Sequence, residues 1–369
     1  MPGQEQRTSG SQQVVDNRMR FIRLLESDQP PEYRAEYEFA SEARITGQLN
    51  YSNDDLILRL LTMEPNRDGL LKYTLSLAAP AEYRLPAYQS SKDGYYFEGG
   101  GSEEILSLVS LHLRCRSFPI SYVFRDLNGP PLTKFEHDFN YIKPDKGADK
   151  YLFDTSNRNF VTLSDFFDLV KRLPGTFHHR FANAVRLYAL ALREVGVNDQ
   201  QAYIHLVSAI EILSKHQVLP EARDPLQGVV DQLKSVLEQG TPEAKGDLGN
   251  LLEQRKTMLK FIAFIQEHSD GKFTDRPVEG AMEHKIYKDN LPDALKKIYK
   301  ARSKYLHEGS SMYLSVPRVT VADCDYDSSM GQTIDNRQFD PEDKLPNLVF
   351  FEKLVRECLL SYLNTHQST

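Results

Sequence analysis

A guanidinium and an imidazole stand with four residues between them in the stretch Ala301 to Ser311, ARSKYLHEGSS: Arg302 and His307. Arginine neutralises charge on a bound anion, and histidine is the side chain suited to proton transfer near neutral pH. The stretch ends a helix-like segment that begins near Leu291. At a period of 3.6 its apolar line runs Leu291, Leu295, Ile298, position 302, Tyr305 and Leu306. Position 302 calls for leucine. An arginine on a packing face must be paired, reach solvent or serve a function. Gly309 is the expected helix stop, which puts His307 in the last turn, at the negative end of the helix dipole. Two readings stay open: a catalytic pair, or a structural ion pair at Arg302 beside a capping His307.

The elements around the pair bear on that choice. The segment QQAYIHLVSAIEILSKHQ has an apolar stripe of Tyr203, Leu206, Val207, Ile210 and Leu213, with Glu211 at its border. Glu211 is a candidate partner for Arg302 or a solvated flank. Between Lys285 and Glu308 there are seven basic side chains, Lys285, Lys288, Lys296, Lys297, Lys300, Arg302 and Lys304, against Asp289, Asp293 and Glu308. The local excess of +4 suits a docking polyanion, and equally a solvated helix face. Tyr299, Tyr305 and Tyr313 lie nearby and are candidates for stacking on unpaired bases or for core packing.

A chain of 369 residues is long enough for two domains, each with its own core. The formal net charge of −7 argues against a broadly nucleic-acid-coating protein, so any such contact must be local. No apolar run is long enough to span a bilayer, and the polar start MPGQEQRTSGSQQ lacks a signal-peptide core, so a cytoplasmic protein without membrane contact is expected. Cys115, Cys324 and Cys358 are widely separated with no C-x-x-C pair, which fits a reducing compartment and argues against a disulfide framework or zinc site. No metal or cofactor is expected.

The order of elements predicts an α+β chain. Residues 1–15 are rich in Gln, Ser and Gly and read as a disordered tail. Residues 16–160 read as a β-rich domain, with candidate strands RMRFIRLL, ARITGQLNY, LILRLLTM, LLKYTLSLAA, SYVFRDL and HDFNYI between turn signals. One helix, SEEILSLVSLHLRC, interrupts them. It follows Gly99, Gly100 and Gly101, but Glu103 and Glu104 in its first turn would repel a phosphate, so a plain turn into a helix is favoured.

Residues 161–369 read as a helical bundle. FVTLSDFFDLVKRL, RFANAVRLYALALREVG, the Glu211 segment, PLQGVVDQLKSVLEQ, LLEQRKTMLKFIAFIQEH, LPDALKKIYKARSKYLHEG and LPNLVFFEKLVRECLLSYL all carry helical spacing. An acidic connection, 317–346, reads as a mobile surface loop. Its DCDYDSSMGQTI has Ser328 and Ile334 where a calcium loop needs Gly and Glu. His178 and His179 are adjacent, about 100° apart on a helix, and do not chelate one ion together.

With Arg-x4-His near a late helix end, a following Glu-Gly, and an upstream AIEIL helix, the chain over roughly residues 165–369 resembles the HEPN superfamily. It is closest in pattern to the Apea-like HEPN proteins of bacteria, which join an N-terminal β-rich region to a C-terminal HEPN domain. That resemblance implies a metal-independent RNA endonuclease of a toxin or anti-phage defence system, with tRNA one candidate substrate. His307 would act as acid or base at the attack of the 2′-hydroxyl, and Arg302 would stabilise the phosphorane oxygens. The products would carry 2′,3′-cyclic phosphate and 5′-hydroxyl ends. Ser303 fills the polar position after the arginine, where many members carry Asn, Asp or His. Tyr305 and Glu211 would support the site, and Lys296, Lys297, Lys300 and Lys304 would hold RNA.

Five residues along a helix rotate a side chain by about 140°, so Arg302 and His307 do not point the same way. Family members bring two motifs together across a dimer cleft, and a homodimer through the HEPN helices is expected here. The N-terminal domain would sense a phage-derived or other trigger, or position substrate. The alternatives are a non-catalytic HEPN module that binds a nucleotide, RNA or protein partner, and a helical scaffold with no nucleic-acid role.

Overall fold

The computed structural model describes residues 33–79 apart from 52–55, 63 and 67; 100–126; 131–136; 158–219; 242–269; 285–309; 312; 325–326; 333–334; 337–338; and 345–367. The architecture is α+β, an N-terminal antiparallel sheet followed by a mainly helical region. The change from strands to helices falls near residue 160, as the sequence predicts. The compact units divide elsewhere: Met1–His205 with Tyr362–Thr369, and Leu206–Ser361. The 1–15 tail, RMRFIRLL, HDFNYI, PLQGVVDQLKSVLEQ and Tyr313 lie outside the described residues.

In the first unit the strands are β1 (Tyr33–Ser41), β2 (Ile45–Thr46), β3 (Gln48–Tyr51), β4 (Leu56–Leu60), β5 (Leu71–Ala79), β6 (Phe118–Asp126), β7 (Pro131–Glu136) and β8 (Arg158–Asn159). Six of them form one sheet in the order β3-β4-β5-β1-β6-β7. ARITGQLNY divides into β2 and β3 because Gly47 breaks it with φ +76°, a conformation open to glycine. A Cβ there would also meet the Asn159 side chain at 2.2 Å, so a larger residue would have to displace that side chain as well.

The central strand, β1, is one the sequence reading passed over. Its Glu36 and Glu38 lower its apparent hydrophobicity, yet it pairs antiparallel with both β5 and β6. Alternation is the reason it fits: Ala35 and Phe39 are buried, and Glu38 accepts a hydrogen bond from Ser121 Oγ on β6 at 3.1 Å. Phe39 stacks on Tyr73 of β5 with ring centroids 5.2 Å apart. Both rings are fully buried, a burial that stabilises by about 1.5–3 kcal/mol per side chain. β7 begins with Pro131, which is tolerated at the sheet edge because no ladder donor is needed there.

Helix α1 (Gly100–Leu113) packs on the later α3 (Gly175–Glu194), and α2 (Leu163–Lys171) borders β3. The first-turn acids of α1 turn inward. Glu103 lies 3.8 Å from Arg193 and 4.0 Å from Arg186, and buried Glu104 lies 3.5 Å from His178. Carboxylates at the positive helix end therefore occupy the place a phosphate would need. Arg158 closes the other end of α1, donating to the carbonyls of Leu113 and Arg114. The fully buried Arg116 pairs with Glu42 at 2.7 Å. Between β3 and α2, the Tyr51 hydroxyl donates to Asp168 and accepts from Lys171 at 3.0 Å. Burial, then the Asp168 bond, pushes the Tyr51 phenol up to about 12.

Helix α4 (Asp199–Ser214) runs through the division between the units, as does the last helix, α7 (Leu348–Thr365). The second unit adds α5 (Pro242–His268) and α6 (Leu291–Glu308). Two short strands, β9 (Thr333–Ile334) and β10 (Arg337–Gln338), pair within the 317–346 connection. That connection is not wholly a solvated acidic loop. Asp325 is buried, its carboxylate accepts from Ile286 N at 2.8 Å, and its carbonyl accepts from Asn347 N at 2.7 Å. Asn347 in turn accepts from Phe350 N and caps α7, so the base of the connection is pinned to the helix start.

Candidate functional site

The second unit builds the site from α4 and α6. On α4, Leu206, Val207, Ile210 and Leu213 are buried, as their spacing predicts, and Glu211 lies at the border of that stripe. On α6, Pro292 near the start and Asp293 in the first turn favour helix initiation. Leu291, Ala294, Leu295 and Ile298 are buried. Gly309 ends the helix in the left-handed conformation, φ 66°, with its N–H on the Tyr305 carbonyl.

At position 302 the apolar line is broken, and the guanidinium turns to α4. Arg302 Nη2 donates to Glu211 Oε2 at 2.7 Å, with 20% and 16% of the two side chains exposed. The candidate partnership read from the sequence is thus present. Tyr299 lies near enough that its phenol and the Glu211 carboxyl act on each other electrostatically. Tyr299 is buried, and its ring lies 5.7 Å from that of Phe261 on α5. It is therefore core, a buried ring rather than a platform for stacking on a base. The i, i+3 spacing of Tyr299 and Arg302 was the available sequence signal, because it puts both on one side of the helix.

The electrostatics of the pair are not those of a simple stabilising bridge. Burial raises the Glu211 carboxyl above its ordinary value, and the opposing pull of Arg302 and Tyr299 does not reverse it. Burial, followed by the charge of Glu211, pushes the Tyr299 phenol up to about 12, so it stays a donor. Arg302 Nε is buried and donates to no described residue.

Beyond Arg302 the helix leaves its core. Leu306, placed on the apolar line by periodicity, is 48% exposed. Tyr305 and Ser303 are half-buried, and His307 and Lys304 are exposed. The helix stays regular to Glu308, so His307 is rotated about 140° from Arg302 and rises about 7.5 Å further along the axis. Its imidazole makes no hydrogen bond or ion pair with any described residue. One chain thus brings Glu211, Tyr299 and Arg302 together and holds His307 apart.

Lys296, Lys300 and Lys304 are exposed at i, i+4 spacing along one side of α6, with Lys296 paired to Asp293 at 2.9 Å, and Lys297 is half-buried. The other histidines are placed by packing. His178 is buried and His179 half-buried, with burial, then Arg180, pulling the His179 imidazole below its ordinary value. His205 bonds Gln201 at 3.1 Å and is lowered by burial and then by Arg186. Among the described residues no three His, Cys, Asp or Glu side chains are grouped to hold a metal ion, and no helix is long and apolar enough to cross a membrane. No protein-family model, curated protein or solved structure matches the chain.

Proposed function

We propose that the chain is a HEPN-like RNA endonuclease that needs no metal, acting in bacterial anti-phage defence or as a toxin, with tRNA one candidate substrate. The observation that carries this reading is the half-buried carboxylate–guanidinium contact of Glu211 and Arg302, with Arg302 five residues before a solvent-facing His307. Arg302 pulls the Glu211 carboxyl down while burial raises it, and burial prevails, so the pair carries a desolvation cost.

In the proposed reaction the 2′-oxygen of RNA bonds to the adjacent phosphorus while the phosphorus–5′-oxygen bond breaks. His307 takes the 2′-hydroxyl proton or supplies the proton that the departing 5′-oxygen gains. Arg302, held by Glu211, neutralises the charge gathering on the phosphoryl oxygens. Cyclic 2′,3′-phosphate and 5′-hydroxyl ends result. Lys300 and Lys304 supply exposed positive charge on the same helix. Because Arg302 and His307 diverge along α6, the site is completed by a second copy, with the exposed Leu306 beside His307 in the dimer contact. The N-terminal sheet unit senses a trigger or positions substrate. Incubation with RNA in EDTA tests this: loss of cleavage in His307→Ala is expected, and intact RNA with wild-type protein contradicts it.

A second reading has one observation in its favour. His307 has no orienting partner among the described residues, as expected of a non-catalytic HEPN module that binds nucleotide, RNA or a protein through Arg302. RNA binding unaffected by His307→Ala, without cleavage, would favour it.

A further inference from the structure

We propose that the exposed face of α6 is a track for one RNA strand, whose successive phosphates rest on Lys300 and Lys304 and bring the next linkage to His307. Burial along the helix defines that face. Asp293, Lys296, Lys300, Lys304 and His307 are exposed, and every position between them up to Tyr305 is buried or half-buried. Steps of three and four residues keep to one side of a helix. At about 100° per residue, His307 stands about 20° from Lys300 and about 60° from Lys304 around the axis, whereas Arg302 is turned about 160° from Lys300. Within one chain, the side chains that accompany His307 are therefore lysines. Asp293, at the start of the row, is taken by Lys296 at 2.9 Å. Lys300 and Lys304 make no hydrogen bond or ion pair with any described residue, so the uncommitted charge gathers at the His307 end.

The spacing fits a single strand. Lys304 follows Lys300 by about 6 Å along the axis, and His307 follows Lys304 by about 4.5 Å. Those steps are close to the separation of neighbouring phosphates on one strand, and flexible lysine stems take up the difference. One straight row of ammonium groups holds a backbone and leaves the base edges unread, so it selects length rather than sequence. Duplex recognition uses contacts across a groove, which one row does not supply. Attack by a 2′-oxygen also needs a linkage free to leave helical geometry. The substrate class is thus a single-stranded RNA segment with at least two phosphates on one side of the linkage that is cut.

The cleavage arm of the test rests on the ribonuclease reading, whereas the binding arm does not. An oligouridylate with one 2′-hydroxyl among 2′-O-methyl groups has one cleavable linkage, because a methylated 2′-oxygen cannot attack. Removing the two phosphates next to that linkage on one side should lower kcat/KM about tenfold or more, and on the other side less than about twofold. In Lys300→Ala/Lys304→Ala the larger loss should shrink to less than about twofold, because its contacts are already gone. Binding is read by fluorescence anisotropy with the fully 2′-O-methylated strand, which is not cut. Lys300→Glu and Lys304→Glu should each weaken it about fivefold or more. Lys256→Glu, the same change at an exposed lysine of α5, should weaken it less than about twofold. Equal weakening by Lys256→Glu, equal losses on shortening either side, or binding of duplex RNA or polyglutamate as tight as that of the single strand would overturn the proposal. Absence of cleavage by wild-type protein would overturn the ribonuclease reading alone, and the anisotropy comparison would still decide whether α6 carries the track.

Discussion

Glu211 accepts from Arg302 at 2.7 Å across the space between α4 and α6, and both side chains are more than three-quarters withdrawn from solvent. The contact joins two helices at the position where periodicity calls for leucine. It thereby fixes an arginine one and a half turns before the exposed His307.

Replacement of Arg302 separates fork geometry from charge. Arg302→Lys keeps the cation but cannot present a planar fork to both carboxylate and phosphate. RNA cleavage should fall at least about a hundredfold, while stability falls by less than about 1 kcal/mol. Arg302→Ala leaves a half-buried carboxylate uncompensated and should cost about 1–3 kcal/mol, discounted for the remaining exposure of the pair. Chemical denaturation and single-turnover cleavage measure the two effects.

The raised Glu211 carboxyl gives a pH dependence of definite sign. A carboxyl whose folded value lies above its unfolded value binds more protons in the native state, so its contribution favours folding at low pH. That contribution is lost as pH rises from the ordinary 4.5 through the raised folded value. Glu211→Gln removes the titration. The stability of Glu211→Gln relative to wild type should therefore increase with pH across that window and level off above it. Urea unfolding at a series of pH values checks this, and a difference that declines across the window would contradict it.

Exposed residues should separate binding from folding. Lys300→Ala and Lys304→Ala are expected to leave stability within about 0.5 kcal/mol. Each should weaken RNA binding and lower the dependence of log affinity on log salt by about one. Lys296, already paired with Asp293, should have the smaller effect. Fluorescence anisotropy across a salt series would show it.

The dimer proposal makes two demands on α6. Leu306→Asp introduces a charge at a 48% exposed position, so the monomer should stay folded while light scattering reports loss of the dimer and cleavage is lost with it. Mixed Arg302→Ala and His307→Ala protomers should recover part of the activity that neither has alone. Full activity in a Leu306→Asp monomer would rule out a composite site.

Much of this arrangement was legible in the residues. Helical spacing gave α4, α6 and α7 nearly to their ends and α3 without its first five residues, and Gly309 marked the stop of α6, because amphipathic periodicity and a left-handed glycine are local signals. The Glu211–Arg302 contact followed from one misplaced charge and one border carboxylate. The central strand β1 was hidden by Glu36 and Glu38, whose acceptability depends on neighbours far along the chain, such as Ser121. The exposure of Leu306 was hidden for the opposite reason, since period alone does not say where a helix runs past its core. Asp325 looked like one more loop acid until Ile286 and Asn347, distant in sequence, met it.

The central claim is that Arg302 and His307 cut RNA without a metal. The direct measurement is cleavage of purified RNA by wild-type and His307→Ala protein in excess EDTA, with mass spectrometry of the fragment ends. The account predicts wild-type fragments carrying 2′,3′-cyclic phosphate and 5′-hydroxyl ends, and none from His307→Ala. Intact RNA with wild-type protein, or equal cleavage by both proteins, would contradict it.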